Sequence, residues 1–245
     1  MRIPRIFQNR PLSIHSQIEL DIDASRHLKT VLRLEKEDKV ILFNGDRNEY
    51  LSIITSIAKN HVHLKIVEIT EKNVESPLKI HLGQVISKGE KMDFVIQKST
   101  ELGVNTITPL FSERSVVHLQ KDRWIKKIEH WQKIAIHAAE QCGRTIIPAI
   151  EKPIPLFEWT HQRPEKTRLV LSLSTDQTLS KLPLYDSVAI LIGPEGGLTP
   201  EEIEYATVRG FTAIKLGPRI LRTETAALAI ITAVQFQGGD LNIIL

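Results

Sequence analysis

The segment 190–202 most strongly limits the folds open to this chain, because an apolar run leads directly into a glycine-rich turn and then into a helix start. The run has the length of a strand buried on both faces of a parallel sheet. Thr199 is a favourable N-cap, Pro200 suits the first helical position, and Glu202 completes a capping box. We therefore expect an α/β domain, in which ligands bind in loops at the carboxyl ends of strands.

The turn itself indicates which ligands it can accept. Gly193, Gly196 and Gly197 carry no side chains, so a ligand can approach their backbone amides closely. The spacing matches neither a dinucleotide fingerprint nor a P-loop. Glu195 would repel a phosphate. A neutral or cationic ligand fits better, although a purely structural turn is the alternative.

A second junction of the same kind spans residues 216–226, where another short apolar run leads into an apolar helix. Arg219, Arg222 and Glu224 stand just before or at the start of this helix. The alternative is ordinary capping by Thr223 and Glu224, with the arginines solvated or paired to acids. Two such junctions in one domain favour a ligand site.

The pattern of apolar residues predicts two domains, at 1–73 and 74–245. The first has three short β-patterned runs and one helical pattern with Asp23 or Ser25 as N-cap, which indicates a compact barrel. The second alternates strands with helices. Predicted strands cover 39–43, 50–58, 61–70, 78–86, 106–111, 169–173, 188–192 and 212–216, and predicted helices cover 23–32, 90–102, 123–141 and 226–236.

Composition narrows the class further. The 245 residues include one cysteine, Cys142, which rules out an internal disulfide and fits a reducing compartment. The net charge is +3 with no polybasic run, so charge alone favours nucleic acid only weakly. No apolar run is long enough to span a bilayer, and we expect a cytoplasmic protein. His61 and His63 share a strand face without a third ligand nearby, so we predict no metal site.

Taken together, several segments resemble one known family, the ribosomal RNA small subunit methyltransferases E, which modify N3 of a uridine in 16S ribosomal RNA and belong to the SPOUT class. Cys142 stands where that family often has another small residue. The matching segments, spread over essentially the whole chain, are 26–33, 87–94, 97–104, 112–115, 138–144, 193–197 and 216–226.

The resemblance implies an α/β SPOUT-type C-terminal domain with a trefoil knot, plus a small N-terminal PUA-like β-barrel. It implies S-adenosyl-L-methionine as cofactor, a homodimer, and small-subunit ribosomal RNA in the 30S subunit as partner. The cofactor-binding residues it implies are Leu191, Ile192, Gly193, Glu195, Gly196, Gly197, Leu216, Gly217, Ile220, Leu221, Arg222, Thr223, Thr225 and Ala226.

For RNA contacts we favour cationic residues within the matching segments. A further basic cluster, at Lys121, Arg123, Lys126 and Lys127, is equally well explained as a solvated helix face. The predicted RNA-binding residues are Arg26, His27 and Arg33 in the first domain and Lys98, Arg114 and Arg144 in the second.

The catalytic hypothesis rests on Arg222 and Glu224. Uracil N3 becomes nucleophilic when its proton leaves, and the permanently charged Arg222 would stabilise the resulting anion. A structural ion pair is the alternative role for this arginine. The proton acceptor stays open between Glu224, Glu101 and solvent.

Three other functions compete with this assignment. The main one is a non-catalytic RNA-binding, ribosome-assembly protein of the same fold. Another is a SPOUT enzyme acting on transfer RNA. A dinucleotide-dependent oxidoreductase is disfavoured because its glycine fingerprint is missing.

Overall fold

The computed structural model describes residues 3–59, 61–115, 121–161 and 163–242. The chain divides into two compact units. The first consists of the chain up to Glu75 together with Ala139–Ile147, and the second of Ser76–Ala138 and the chain from Pro148 onwards. The sequence pattern did not anticipate that residues 139–147 group with the first unit, and the domain boundary after residue 73 stays a prediction.

The described residues of the first unit form a five-stranded sheet with strand order β1-β3-β4-β5-β2. Neighbouring strands are antiparallel except β1 and β3, which are parallel. Apolar side chains from β3, β4 and β5, such as Leu42, Ile54 and Leu64, are fully buried and form its core. The strands are β1 (Arg5–Phe7), β2 (Gln17–Glu19), β3 (Lys39–Phe43), β4 (Asn48–Ile57) and β5 (Val62–Glu71).

The helical segment of this unit starts earlier than predicted and changes its winding. Helix α1 (Ile22–Arg26) has Asp21 as its N-cap, whose carboxylate accepts a 2.7 Å hydrogen bond from the Ala24 amide. The N-cap prediction of Asp23 or Ser25 is therefore wrong. A π-helical turn (His27–Val31) follows α1 directly.

The described residues of the second unit form a seven-stranded sheet in which every pairing is parallel. Its order is β12-β10-β11-β6-β7-β8, with β9 also paired to β7. This confirms the predicted α/β fold with a parallel sheet. The strands are β6 (Lys79–Val85), β7 (Thr106–Phe111), β8 (Ala149–Ile150), β9 (Ile154–Pro155), β10 (Thr167–Leu171), β11 (Ser187–Ile192) and β12 (Thr212–Ile214).

Helices alternate with these strands. The helices that follow α1 along the chain are α2 (Lys91–Glu101), α3 (Lys121–Cys142), α4 (Leu156–His161), α5 (Pro200–Val208) and α6 (Thr223–Gly238). The bounds of three helices, α2, α3 and α6, agree with the sequence prediction to within about three residues at each end. Helix α4 and a short 3-10 turn (Leu179–Lys181) were not predicted. None of the described helices combines the length and apolar character needed to cross a membrane.

The strand order brings three chain segments to one edge of the sheet. β10 lies between β11 and β12, and all three strands run in the same direction. The loops that follow their carboxyl ends are therefore neighbours, although they are far apart in sequence.

Candidate functional site

A cavity of about 520 Å³ lies at this edge of the second unit. Its volume is within the range of roughly 300–1,000 Å³ that is usual for small-molecule sites. The loops after β10, β11 and β12 supply nearly all of its walls. The lining residues are Lys91, Leu171, Ser172, Leu173, Ile192, Gly193, Pro194, Glu195, Gly196, Gly197, Leu198, Ile214, Leu216, Arg219, Ile220, Leu221, Arg222, Thr223 and Ala226.

Most of the predicted cofactor-binding residues line this cavity, and three lie outside its lining. Leu191 is fully buried in the core of the unit. Gly217 has φ of +67° and shapes the turn after β12. Thr225 is exposed on the first turn of α6. The residues predicted and found in the lining are Ile192, Gly193, Glu195, Gly196, Gly197, Leu216, Ile220, Leu221, Arg222, Thr223 and Ala226.

The loop after β10, where Leu171, Ser172 and Leu173 line the cavity, was not predicted from the sequence. The preceding strand was predicted, but its place between the other two was not. The strand order would have identified this loop, because the loop that follows a central strand lies between the loops that follow its two neighbours.

The glycine-rich loop is tightly folded around Gly193. A side chain there would place its Cβ 2.9 Å from Leu198 Cγ and 3.0 Å from the Leu198 amide nitrogen, so this position has no room for one. Gly197 has φ of +69°, in the left-handed region that favours glycine. Its amide donates a 2.9 Å hydrogen bond to the Pro194 carbonyl. The loop therefore presents mostly backbone to the cavity.

The predicted capping box is present and holds the far end of this loop. Thr199 Oγ1 accepts a 3.2 Å hydrogen bond from the Glu202 amide, and Glu202 Oε2 accepts a 2.9 Å bond from the Thr199 amide. Glu202 is fully buried, and its Oε1 accepts a 2.9 Å bond from the Glu113 amide. One carboxylate thus joins the start of α5 to the segment after β7.

A buried hydroxyl connects the two glycine-containing junctions. Thr223 Oγ1 donates a 2.7 Å hydrogen bond to the Gly193 carbonyl and accepts a 3.0 Å bond from Nε2 of the fully buried Gln84. The N-cap of α6 is Arg222, and no side chain caps that helix. Thr223 therefore links the loops instead of capping the helix, which was the alternative considered from the sequence.

The cavity carries charges of both signs. Lys91 Nζ donates a 2.9 Å hydrogen bond to Glu195 Oε1. Burial pushes the pKa of Glu195 upward, but the bond and charge of the Lys91 ammonium together with backbone hydrogen bonds outweigh it and hold that pKa below its ordinary value. Glu195 is therefore ionised at neutral pH. Arg219 and Arg222 are exposed in the lining, and within the described residues neither forms an ion pair.

The three catalytic candidates occupy different settings. Arg222 lies in the cavity lining. Glu224 lies just outside it, and its Oε2 is buried without a hydrogen-bond partner among the described residues. Glu101 is also outside the lining and is ion-paired to Lys98 Nζ at 2.8 Å.

The predicted RNA-binding residues are divided between the two units. Arg26, His27 and Arg33 are exposed on consecutive turns of the first unit. In the second unit, Lys98 is engaged with Glu101. Arg114 is exposed, and its guanidinium donates a 2.9 Å bond to the Gly196 carbonyl, which places it against the glycine-rich loop.

Arg144 differs from the others because it is buried and belongs to the first unit, not the second. Its guanidinium bonds both carboxylate oxygens of Glu75, and its carbonyl accepts a 3.0 Å bond from Arg5. Such a pair holds residues 139–147 within the first unit, and we do not carry Arg144 forward as an RNA contact.

The histidine pair His61 and His63 faces Glu19, with the closer nitrogen–oxygen distance being 2.9 Å. Across the described ranges, no group of three or more histidine, cysteine or acidic side chains is arranged to hold a metal ion.

Comparison with family models assigns both parts of the chain. Residues 74–235 match the model described as an RNA methyltransferase domain. Residues 20–67 match the model of an RNA methyltransferase PUA domain, which confirms the PUA-like character of the first unit.

Relatives and solved structures match over nearly the full length. The Buchnera aphidicola protein named ribosomal RNA small subunit methyltransferase E is 47% identical, covering 98% of this chain and 99% of its own. The Bacillus subtilis protein of the same name is 36% identical, covering 86% of each chain.

Among solved structures, the Neisseria gonorrhoeae ribosomal RNA small subunit methyltransferase E bound to S-adenosyl methionine is 37% identical with a TM-score of 0.92, covering 98% of this chain and all of its own. A Legionella pneumophila protein solved with bound SAM is 43% identical with a TM-score of 0.96, at the same coverage. The identity, the coverage and both family models agree with the resemblance seen in the sequence. The chain therefore belongs to the ribosomal RNA small subunit methyltransferase E family.

Proposed function

We propose that this protein uses S-adenosyl-L-methionine to methylate N3 of a uridine in the 16S ribosomal RNA of the small subunit. The cavity formed by the loops after β10, β11 and β12 carries this proposal, because it brings together two of the segments that resemble the family, 193–197 and 216–226. The solved relative from Neisseria gonorrhoeae, which holds S-adenosyl methionine, supports the same choice of cofactor.

The residues of the cavity fit this cofactor. Its volume of about 520 Å³ suits a nucleoside joined to an amino acid. Side chains such as Leu171, Ile192 and Leu216 offer apolar walls for an adenine ring. Glu195 offers a carboxylate to the cationic end, and Arg219 offers a guanidinium to a carboxylate. The three glycines of the loop Gly193–Gly197 leave backbone groups accessible.

The cofactor supplies an electrophilic methyl group on a sulfonium. The new N3–carbon bond forms as the sulfur–carbon bond breaks, and the electron pair of the broken bond goes to sulfur. The uracil proton must leave N3, and the negative charge then spreads to the ring oxygens. Arg222 lies at the cavity without an acidic partner among the described residues, so its charge is available to stabilise that anion.

Glu224 is our candidate for the proton acceptor. It follows Arg222 by two residues, and its Oε2 has no hydrogen-bond partner in the described part of the chain. Glu101 is less suitable because its carboxylate is paired with Lys98. A Glu224→Gln variant is expected to lose the acidic limb of the pH–rate profile, and an unchanged profile would leave solvent as the acceptor.

Further properties are proposed from the family. These are SPOUT membership, a trefoil knot in the second unit, a homodimer, action on the 30S subunit, and a cytoplasmic location. Exposed aromatic side chains support the homodimer, since Phe94 on α2 and Phe236 on α6 are 45% and 63% exposed on helices that pack against each other.

Mass spectrometry of ribosomal nucleosides tests this function. Small-subunit ribosomal RNA from cells lacking the gene should lose N3-methyluridine at one position. A plasmid with the wild-type gene should restore it, and a plasmid with Arg222→Ala should not. An unchanged N3-methyluridine content in the deletion strain would overturn the proposal.

A further inference from the structure

The first unit contains a cavity of its own, with a volume of about 240 Å³. One wall comes from α1 and the π-helical turn, and the other from residues next to the ends of β4 and β5. The volume is below the usual range for a whole small-molecule ligand, which is roughly 300–1,000 Å³. A group the size of a phosphate fits it better.

Three cationic side chains line this cavity, namely Arg26, Lys29 and Lys59. All three are exposed, and none forms an ion pair with an acid among the described residues. Lys29 Nζ reaches across to the Ala58 carbonyl at 3.4 Å, which brings its ammonium against the opposite wall. Cations gathered around one small space repel each other, and an anion between them would relieve that repulsion.

Two acids near the cavity, Asp21 and Glu19, are engaged with other groups. Asp21 accepts the capping bond from the Ala24 amide. Glu19 faces His61 and His63. Neither of these carboxylates is paired with one of the three cationic side chains of the lining.

The backbone of this segment is also unusual. The turn His27–Val31 is π-helical, a geometry that is rare and frequently found at functional sites. Arg33, just beyond it, has φ of +54°, in the left-handed region that a residue with a side chain adopts only at a cost. Strain of this kind is typical of segments kept for binding.

We propose that this cavity binds a backbone phosphate of the RNA substrate, held by Arg26, Lys29 and Lys59. The inference rests on the proposed function, since it takes ribosomal RNA as the substrate. It adds Lys29 and Lys59 to the contacts expected from the sequence and assigns this cavity a ligand. His27 and Arg33 lie outside the lining.

The test compares two double variants of the full-length protein. Lys29→Gln/Lys59→Gln removes two charges from the cavity, whereas Lys36→Gln/Lys39→Gln removes two charges from exposed positions of the same unit outside the lining. The probe is small-subunit ribosomal RNA purified from cells lacking the gene. Binding is measured without cofactor at KCl concentrations from 50 to 300 mM, which span a ~sixfold range of ionic strength.

The cavity variant should bind RNA about tenfold or more weakly at low salt, and its slope of log affinity against log salt should fall by roughly one to two. The control variant should stay within about twofold of wild type. Equal behaviour of the two variants would overturn the proposal. So would stabilisation of the wild type by inorganic phosphate combined with an unchanged RNA affinity of the cavity variant, which would indicate a free-phosphate site.

Calorimetry with S-adenosyl-L-methionine separates this proposal from the proposed function. The cofactor cavity belongs to the second unit, so both double variants should bind the cofactor as the wild type does. A wild-type protein that binds no cofactor would contradict the proposed function alone. A cavity variant that binds cofactor normally and keeps wild-type RNA affinity and salt slope would contradict the phosphate site alone.

Discussion

The hydroxyl of Thr223 donates a 2.7 Å hydrogen bond to the carbonyl of Gly193, thirty residues away in sequence. This bond joins the start of α6 to the loop after β11, and Gln84 supports it from β6. Both loops line the cavity proposed for the cofactor, so this contact helps to set the shape of that cavity.

Replacing Thr223 with valine should weaken cofactor binding. The change keeps the shape of the side chain but removes the hydroxyl, leaving the Gly193 carbonyl without this donor. An unsatisfied buried polar group costs about 1–3 kcal/mol, so we expect the Kd for S-adenosyl-L-methionine to rise about tenfold. Titration calorimetry measures the change.

Two variants control this prediction. Thr223→Ser restores the hydroxyl and should recover most of the affinity. Thr225→Val makes the same chemical change at an exposed position outside the cavity and should bind as the wild type does. A Thr223→Val protein with wild-type affinity would show that the link between the loops is dispensable.

Removing the carboxylate of Glu202 should destabilise the second unit. The side chain is fully buried and accepts bonds from the amides of Thr199 and Glu113, which Glu202→Ala would leave unsatisfied. We expect a loss of about 2–4 kcal/mol in the free energy of unfolding, measured by urea denaturation. Glu201→Ala, on the same turn but exposed, should change stability by less than about 0.5 kcal/mol, and an equal loss in both variants would contradict the assignment.

A partly buried network around His81 links the beginning of β6 to the beginning of β10. Trp159 Nε1 donates to His81 Nε2 at 3.3 Å, and His81 Nδ1 lies 3.0 Å from Glu165 Oε1 and 3.1 Å from Arg163 Nη1. Burial pushes the pKa of Glu165 upward, but the interaction with His81, a backbone hydrogen bond and the nearby Arg163 together outweigh it and lower that pKa below its ordinary value of 4.5.

This lowered pKa predicts a pH dependence of stability. The folded state binds the Glu165 proton less tightly than the unfolded state does, so the stabilisation is complete above pH 4.5 and is lost as pH falls further. Urea midpoints measured from pH 7 to pH 3 should fall less steeply in Glu165→Gln than in wild type. Asp93, whose pKa is also lowered, contributes equally to both proteins. Identical slopes would contradict the role of Glu165.

Substituting Arg222 should affect turnover more than cofactor affinity. Removing one hydrogen-bond donor that stabilises a developing anion lowers kcat by a factor of roughly 10²–10³. We therefore expect Arg222→Ala to lower kcat by about that factor, while the Kd for S-adenosyl-L-methionine changes by less than about threefold. Single-turnover methylation of 30S subunits measures the rate. Arg219→Ala, in the same loop, is the comparison, and an Arg222→Ala enzyme with wild-type kcat would remove this residue from the catalytic assignment.

Much of the architecture could be predicted because its local signals are strong. β3 and β7 have the predicted bounds, since short apolar runs flanked by turn residues leave little choice of register. The capping box at Thr199 and Glu202 is present as predicted because its geometry is set by residues three apart.

Features that depend on contacts distant in sequence could not be predicted. β1 and β2 have three residues each and exist because longer strands beside them supply hydrogen-bond partners. The loop at Leu171–Leu173 joins the cavity only because β10 lies between β11 and β12. Arg144 carries no signal of its burial, because the partner that buries it, Glu75, is 69 residues away.

The most direct test of the central claim is titration of the purified full-length protein with S-adenosyl-L-methionine. The structure predicts saturable binding of one molecule per chain, and at least a tenfold loss in Gly193→Ala, whose Cβ would lie 2.9 Å from Leu198 Cγ. Circular dichroism would confirm that the variant is folded. A wild-type protein that shows no affinity for this cofactor, or a folded Gly193→Ala protein that binds it as tightly as the wild type, would contradict the assignment of the cavity.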